Sequence, residues 1–306
     1  MITEHDFNLA TGANSWKRVG ATHPANLYYG KDGKARNAIE YSGKFSINRK
    51  IHSSVVIEIA HYSNNKGGKS IVFSLLDSRL LRPFCDFLNT MIEATEQVCL
   101  SEQDAYNAVC EVYFIMQKMF RSSSEILSES EIKGLIGELI FLRDTLIPKY
   151  GTTKALNAWS GTSKTRKDFA LDNEWYEIKA IDFGKETVHI SSIEQLDSPV
   201  VGTLVIFQLE RMAEEYDGVT LNKLFKSIMN MLSSVNDKDT LATKLCDANY
   251  SVHPKYDEFV YEVRAKDDYI VNESFPRISR AKIPVAIAKA SFDLVITEII
   301  PYKKQY

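Results

Sequence analysis

The N-terminal part of the chain alternates between apolar and polar positions. Residues 26–46 hold two such stretches around the turn Lys31-Asp32-Gly33-Lys34, and apolar stretches follow at 54–61 and 70–76. Alternation of this kind, bounded by turn residues, is typical of half-buried strands. The pattern therefore predicts a β-rich region that ends near residue 77.

A helical period replaces the alternation after that point. Two helices are predicted at about 78–98 and 102–121, and a third from about 128 to 147, where Pro148 ends it. The apolar positions of the third helix are spaced three and four apart and form one stripe. They are Ile132, Leu135, Ile136, Leu139 and Ile140.

Short strands follow the third helix. They are predicted at 166–172, 174–183, 186–190 and 200–209, with a helical turn around 192–196. This order predicts a mixed sheet with helices packed on it. Helices at 220–234 and 237–248, a hairpin at about 258–272 and a tail from Phe275 to Tyr302 follow. They form either an extension of that sheet or a winged-helix module.

We therefore expect an α/β protein with a mixed sheet flanked by helices, preceded by a β-rich α+β domain. The expected boundaries are 1–100 for the N-terminal domain and 101–306 for the second domain with its C-terminal extension. A chain of 306 residues suits two domains. Its hydrophobic fraction of 44% is ordinary for a globular protein.

The net charge and the spacing of the cysteines limit the kinds of protein that this chain could be. The net charge of −3 gives no overall positive field, so any nucleic-acid contact must come from local basic patches or a partner. The four cysteines have no zinc-type spacing and are expected to be buried thiols of a reducing compartment: Cys85, Cys99, Cys110 and Cys246. The N-terminus has no apolar signal segment, and the apolar run 200–207 is too short to span a bilayer. We expect a cytoplasmic protein with no membrane partner.

Gly67-Gly68-Lys69-Ser70 has the appearance of a phosphate-binding loop. That motif requires a glycine where this chain has Ser63, and it must open a helix. Here the β-type run Ile71-Val72-Phe73 follows. We interpret the segment as a hairpin turn.

Acidic residues and a lysine converge on one point of the predicted sheet. Glu177 and Lys179 are two residues apart on a strand and therefore point to the same face. The polar turn 172–174 pairs this strand with the one before it, which brings Asp168 within cross-strand distance. Asp168, Glu177 and the Ile178 carbonyl would suit Mg²⁺, which prefers hard oxygen ligands. Paired charges on a solvated sheet face are the alternative interpretation of Glu177 and Lys179.

The third helix supplies a further carboxylate. Small Gly134 and Gly137 are expected to let the helix approach the sheet, so that Glu138 can reach the metal through water. Glu131 is the alternative on the same helix. Lys179 would position or help deprotonate the attacking water, or offset charge on the phosphate.

Three polar residues after the Glu-x-Lys strand are candidates for contact with the substrate. His189, Ser191 and Gln195 would contact DNA phosphate or orient the attacking water; alternatively, Ser191 caps the next helix and Gln195 lies on the surface. The basic residues Lys164, Arg166 and Lys167 precede Asp168 and would bind backbone phosphates, unless they form a solvated face. Arg277, Arg280 and Lys282 form a second basic cluster. No interleaved stacking platform of aromatic residues is evident.

Short motifs in a fixed order connect these residues. They are 133–139, Trp159-Ser160-Gly161, Lys167-Asp168-Phe169, Glu177-Ile178-Lys179, His189-Ile190-Ser191 with Gln195-Leu196, and Phe275-Pro276-Arg277. The order resembles the PD-(D/E)XK phosphodiesterase superfamily, and more narrowly the bacterial proteins named only as PD-(D/E)XK motif proteins, over roughly 131–290. Lys167 stands where the motif has proline, which members of the superfamily can lack.

The resemblance implies a restriction-endonuclease-like core and a DNA endonuclease that depends on Mg²⁺ or Mn²⁺. Asp168, Glu177 and Ile178 would hold the metal, and Lys179, Glu138 and Gln195 would complete the catalytic set. It also implies a component of a bacterial restriction or phage-defence system, acting beside other subunits. Since one site cuts one strand, cleavage of a duplex would favour a homodimer or a partner subunit. A catalytically inactive nucleic-acid-binding or scaffold subunit is the alternative, and RNA or branched DNA substrates stay open.

Overall fold

A computed structural model describes residues 1–10, 12–47, 51–64, 67–98, 101–117, 126–160 and 167–305. Their contacts divide the chain into two compact units. The first comprises Met1–Glu125 with Ser251–Pro254, and the second comprises Ile126–Tyr250 with Lys255–Tyr306. The boundary lies later than the residue 100 expected from the sequence. The reason is that the helix Glu102–Met116 packs on the helix and the sheet of the first unit.

The first unit is a five-stranded antiparallel sheet with helices on one face. Phe73 of the sheet contacts Phe87 and Tyr113 on two of these helices. The strand order is β1-β2-β3-β5-β4. The elements are α1 (Glu4–Asn8), β1 (Ser15–Arg18), β2 (Leu27–Lys31), β3 (Asn37–Gly43), β4 (Ile57–Ser63), β5 (Lys69–Leu75), α2 (Leu81–Val98) and α3 (Glu102–Met116). The β-rich α+β character predicted for the N-terminal region is confirmed.

The glycine-lysine segment belongs to a hairpin. Strands β4 and β5 pair antiparallel, with Ser63 opposite Lys69 and Tyr62 opposite Ser70. Lys69 and Ser70 thus lie inside a strand, where a phosphate-binding loop would need them at the start of a helix. The predicted hairpin turn is confirmed.

The second unit is built on a four-stranded mixed sheet, in the order β10-β9-β7-β6. Strands β7 and β9 are parallel, whereas the outer strands pair antiparallel with them. The elements are α4 (Glu129–Phe141), α5 (Ile147–Tyr150), α6 (Thr152–Ala158), β6 (Phe169–Ala170), β7 (Trp175–Asp182), β8 (Thr187–Ile190), β9 (Gly202–Arg211), α7 (Leu221–Met231), α8 (Val235–Asp247), β10 (Tyr261–Val271), β11 (Phe292–Val295) and α9 (Ile296–Ile299). The predicted α/β class, a mixed sheet flanked by helices, is confirmed.

The C-terminal hairpin predicted at 258–272 is wrong. Strand β10 is a single strand, and it pairs with β9 from Tyr261 opposite Arg211 to Val271 opposite Gly202, with a register shift between Val263 and Ala265. The polar residues 266–268 remain in the strand because each of them has a partner on β9. The winged-helix alternative is therefore wrong, and β10 extends the sheet. The strand predicted at 186–190 is present as β8, but it pairs with β11 in a separate two-stranded ribbon and does not join the mixed sheet.

The third helix continues beyond its predicted end. A π-helical segment, Leu142–Leu146, joins α4 to α5, and Pro148 lies at the start of α5, where a missing backbone N–H is tolerated. Gly151, with φ +79°, ends the helix. Helix α6 was not predicted. The strand expected at 166–172 is reduced to Phe169–Ala170, and its residue Arg166 lies outside the described residues.

Helix α4 packs closely on β7. A Cβ atom at Gly137 would lie 3.2 Å from Ala180 Cβ and 3.3 Å from Ile178 Cγ2, so glycine permits the approach. Gly134 has no neighbouring atom within 4 Å of such a Cβ, so the role expected for it is wrong. The other face of β7 is covered by an apolar cluster that includes Trp175, Ile181 and Leu204.

Two expectations from composition concern the whole chain. Cys85, Cys110 and Cys246 are buried, as predicted, whereas Cys99 lies outside the described residues. In the part of the chain that the structure describes, no helix combines the length and the apolar character needed to cross a membrane.

Candidate functional site

Asp168 lies directly before β6, at the start of that strand. In the first pair of β6 with β7, Phe169 lies opposite Tyr176, so the register places Asp168 opposite Glu177. The Asp168 Oδ2 atom accepts a hydrogen bond of 2.7 Å from the backbone N–H of Ile178. Its carbonyl accepts another, of 2.8 Å, from the N–H of Ser160. The cross-strand approach inferred from the sequence is present.

The Ile178 carbonyl is directed to the side of β7 on which Asp168 lies. Within a strand, the N–H and C=O groups of one residue point to the same side. The N–H of Ile178 points toward Asp168. The carbonyl of Ile178 is therefore directed to the edge at which Asp168 stands.

Glu177 is a buried carboxylate with unsatisfied oxygens. It is 1% exposed, and the Lys179 ammonium lies 2.9 Å from its Oε1 atom. Apart from this ion pair, no donor of the described residues hydrogen-bonds to either oxygen. Burial, reinforced by the charge of Asp168, raises the pKa of Glu177 to about 8, against the effect of Lys179. Such a carboxylate is costly unless a cation satisfies it.

Glu138 joins the group from helix α4. Burial raises its pKa well above the usual range, and the charge of Asp168 adds to the effect. Its Oε2 atom accepts a hydrogen bond of 2.7 Å from the indole N–H of Trp159. Trp159 is fully buried, and its carbonyl accepts a hydrogen bond from the Lys244 ammonium. Trp159 was part of a sequence motif, but only the fold shows that it orients Glu138.

The donor set fits a hard divalent cation. Among the described residues there is no group of three or more His, Cys, Asp or Glu side chains that could hold a metal ion. Asp168, Glu177 and the Ile178 carbonyl supply two carboxylates and one carbonyl. Mg²⁺ is bound in this way, since it uses one or two carboxylates and keeps several waters. The unsatisfied oxygens of Glu177 are the observation that supports the fit.

Comparison with known proteins agrees with this geometry. The protein-family model described as "Putative PD-(D/E)XK family member, (DUF4420)" matches residues 6–297. The chain belongs to the DUF4420 family. Membership confirms the resemblance to the PD-(D/E)XK superfamily and indicates a nuclease, a class that typically uses divalent metals. Searches of the curated proteins and of the solved structures give no match.

Lys167, in place of the proline of the PD-(D/E)XK motif, is turned inward. Its ammonium donates hydrogen bonds of 2.8 and 2.7 Å to the carbonyls of Glu194 and Gln195, and it lies 3.7 Å from the centre of the Trp175 ring. Burial lowers its pKa to about 8. Lys167 was expected to contact DNA at the surface. Its ammonium instead donates to backbone carbonyls inside the protein, so it is not available for that contact. Lys164 and Arg166 lie outside the described residues.

The second basic cluster also serves the fold. Arg277 donates from Nη1 to the carbonyls of Leu196, at 2.6 Å, and Ser198, at 3.1 Å. Arg280 donates to the carbonyl of Ile287 at 2.6 Å. Together with Lys167, Arg277 fixes the loop that precedes β9.

The remaining candidates lie apart from the carboxylates. The exposed His189 contacts Asp293 on the β8–β11 ribbon, with 2.8 Å between Nδ1 and Oδ1. Gln195 Oε1 accepts hydrogen bonds from the N–H and hydroxyl of Ser191, at 2.8 and 3.0 Å. The N-cap of the following turn is Ser192, so the capping role considered for Ser191 is wrong. No hydrogen bond within the described ranges joins His189, Ser191 or Gln195 to Asp168, Glu177 or Glu138.

Glu131, the alternative to Glu138, is excluded from the site by its own partners. Its carboxylate accepts hydrogen bonds from the N–H and hydroxyl of Ser128, at 2.8 and 2.6 Å, and closes the capping box of α4. This bonding lowers the pKa of Glu131. Glu138 is the α4 carboxylate that faces Asp168.

Proposed function

We propose that the protein is a Mg²⁺-dependent DNA endonuclease that hydrolyses phosphodiester bonds. The observation that carries the proposal is the Glu177 carboxylate, buried beside Asp168, whose oxygens have no partner among the described residues other than the Lys179 ammonium. Asp168, Glu177 and the Ile178 carbonyl would hold Mg²⁺, and Mn²⁺ would fit the same ligands. When bound, the metal would polarise the scissile phosphate and lower the pKa of a coordinated water.

The residues around the metal ligands have separable roles. Lys179 brings a positive charge to 2.9 Å from Glu177, where it can donate to the attacking water or to a phosphate oxygen. Glu138, whose pKa burial raises above that of an ordinary carboxylate, holds a proton more readily and could act as a relay for the proton of the attacking water. The indole of Trp159 holds Glu138 in place.

The proposal extends to the cellular role. The order of the sequence motifs resembles bacterial proteins of restriction and phage-defence systems, and we propose the same setting here. Because one site cuts one strand, cleavage of both strands would need a second copy of the chain or another subunit. The net charge of −3 supports dependence on a partner for holding a polyanion.

A cleavage assay tests the activity. Plasmid DNA, single-stranded DNA and RNA are incubated with the protein and Mg²⁺, Mn²⁺ or EDTA, alongside Asp168→Ala, Glu177→Gln and Lys179→Ala. Removal of one metal ligand or charge should reduce cleavage by about a hundredfold or more. Glu214→Gln, at an exposed position far along the chain, is the matched control. Cleavage at the wild-type rate by all three site variants would refute the proposal.

A catalytically inactive nucleic-acid-binding or scaffold subunit is the second candidate. It is favoured by one observation: the site carboxylates of Asp168 and Glu138 already accept hydrogen bonds from Ile178 and Trp159. Titration calorimetry with Mg²⁺ and Mn²⁺ separates the two functions. Heat of binding that disappears in Asp168→Ala supports the nuclease, whereas no metal heat in the wild-type protein supports the inactive subunit.

A further inference from the structure

The outer face of the first unit's sheet carries a row of polar and aromatic side chains. Ser42 of β3 lies opposite Ser70 of β5, which in turn lies opposite Tyr62 of β4. In the neighbouring rung, Tyr28 of β2 lies opposite Glu40 of β3. Residues directly opposite each other share a face, and so do residues two apart on one strand. These five side chains therefore point away from the core.

The row forms the floor of a cleft. Its volume is about 500 Å³, and Lys44, Lys69 and Asn64 also line it. This volume lies in the range of small-ligand sites, which suits one nucleotide unit. Tyr62 is 59% exposed, so its ring is available for stacking. Tyr28 is half-buried on the opposite side of the row.

The cleft is lined by two carboxylates, those of Glu40 and Glu102, and by two ammonium groups, those of Lys44 and Lys69. Glu40 accepts a hydrogen bond of 2.9 Å from the Ser42 hydroxyl, and Glu102 accepts one of 2.9 Å from the backbone N–H of Lys44. Neither the Lys44 nor the Lys69 ammonium has an ion-pair partner within the described ranges. Two cations are thus available to a phosphate, while the carboxylates are held by hydrogen bonds.

We propose that this cleft binds an unpaired nucleotide of a single-stranded nucleic acid. An exposed aromatic ring beside cations is the arrangement that binds single strands, because a base can stack while its phosphate meets the positive charge. Tyr62 would stack on the base, and Lys44 and Lys69 would contact the phosphates. Glu40 would accept a hydrogen bond from an exocyclic amino group such as that of cytosine. In a duplex the base faces are stacked on each other and cannot reach Tyr62.

The cleft lies in the first unit and the carboxylate site in the second, so the inference does not rest on nuclease activity. Fluorescence anisotropy of the full-length chain in EDTA measures binding without cleavage. The probes are short labelled oligodeoxycytidine, oligodeoxythymidine, oligocytidine RNA and a DNA duplex. We expect single strands to bind, with cytidine favoured over thymidine. The comparison of DNA with RNA identifies the natural source of the nucleotide.

Variants locate the binding on this face. Tyr62→Ala should weaken single-strand binding by about fivefold to a hundredfold, which is the range for loss of one stacked base. Lys69→Ala should weaken single-strand binding and should reduce the slope of log affinity against log salt concentration by about one. Glu40→Gln should reduce the preference for cytidine over thymidine. Tyr216→Ala, at an exposed tyrosine of the second unit, is the matched control and should bind as the wild type.

Two results would overturn the proposal. One is that Tyr62→Ala and Lys69→Ala, both folded by circular dichroism, bind single strands as tightly as the wild-type chain. The other is that the duplex binds better than any single strand and loses affinity equally in these variants. The substituted side chains are exposed or half-buried, so a loss of folding would not explain weaker binding.

Discussion

Removal of the negative charge at Glu177 should stabilise the metal-free protein while it abolishes activity. Glu177→Gln keeps the shape of the side chain and removes the charge that burial disfavours. The pKa of Glu177 is raised from 4.5 to about 8. One pKa unit corresponds to about 1.4 kcal/mol, so ionised Glu177 destabilises the folded state by about 4 to 5 kcal/mol at and above pH 8.

The effect has a defined pH window. Because the folded-state pKa lies above the unfolded value, the folded protein holds one more proton between pH 4.5 and about 8. Stability of the metal-free protein should therefore fall through that window, by about 1.4 kcal/mol per pH unit from this group alone. The advantage of Glu177→Gln should be close to zero at pH 4.5, about 2 kcal/mol at pH 6, and largest above pH 8.

Urea unfolding in EDTA at several pH values measures this difference. Trp159 and Trp175 lie in the second unit and Trp16 lies in the first, so the measurement is made in a Trp16→Phe background, where tryptophan fluorescence follows the second unit alone. The exposed Glu214→Gln is the control and should match the wild type throughout. Addition of Mg²⁺ should stabilise the wild-type protein and not Glu177→Gln. A Glu177→Gln protein that is no more stable than the wild type at pH 8 would refute the idea that this carboxylate is buried and unsatisfied.

Two further predictions test the surroundings of the site. Gly137→Ala should lower the free energy of unfolding by about 1–2 kcal/mol, because its Cβ would lie 3.2 Å from Ala180 Cβ. Gly134→Ala, where nothing lies within 4 Å, should raise it by about 0.5–1 kcal/mol; equal effects in denaturant titrations would contradict the packing. Trp159→Phe keeps an aromatic ring but removes the 2.7 Å hydrogen bond to Glu138. It should slow cleavage by about tenfold, with unchanged Mg²⁺ affinity by calorimetry; a wild-type rate would show that Glu138 needs no orientation.

Local patterns of the sequence were sufficient where neighbouring residues determine the structure. Alternation along 174–183 and the polar turn before it were enough to predict that Asp168 meets Glu177. The hairpin formed by β4 and β5 was also predictable, because an apolar strand follows the glycine-lysine segment at once. The order of the motifs, more than the spacing of α4, pointed to Glu138, and Gly137 explained the close approach of the helix to the sheet.

Other features depend on contacts between distant segments. Strand β10 continues as one strand because β9 pairs with it on both sides of the register shift at Arg264, and no local signal in 258–272 reveals that partner. Lys167 belongs to a basic run, but its donors meet carbonyls of residues 194 and 195, far along the chain. The indole of Trp159 likewise reaches Glu138 across the packing of two segments. The aromatic row of the first unit escaped notice because separate strands contribute its members.

The hydrogen bond from Ile178 to Asp168 gives the site its own spectroscopic reporter. The backbone N–H of Ile178 donates a hydrogen bond to the Oδ2 atom of Asp168, at a nitrogen-to-oxygen distance of 2.7 Å. Any change at that oxygen, whether it gains a proton or a cation, alters the electron density felt by this amide. A single cross-peak in a nitrogen–proton spectrum would therefore follow occupation of the site without any substrate. Variants that fail to bind the ion could thus be distinguished from those that bind it and fail at a later step.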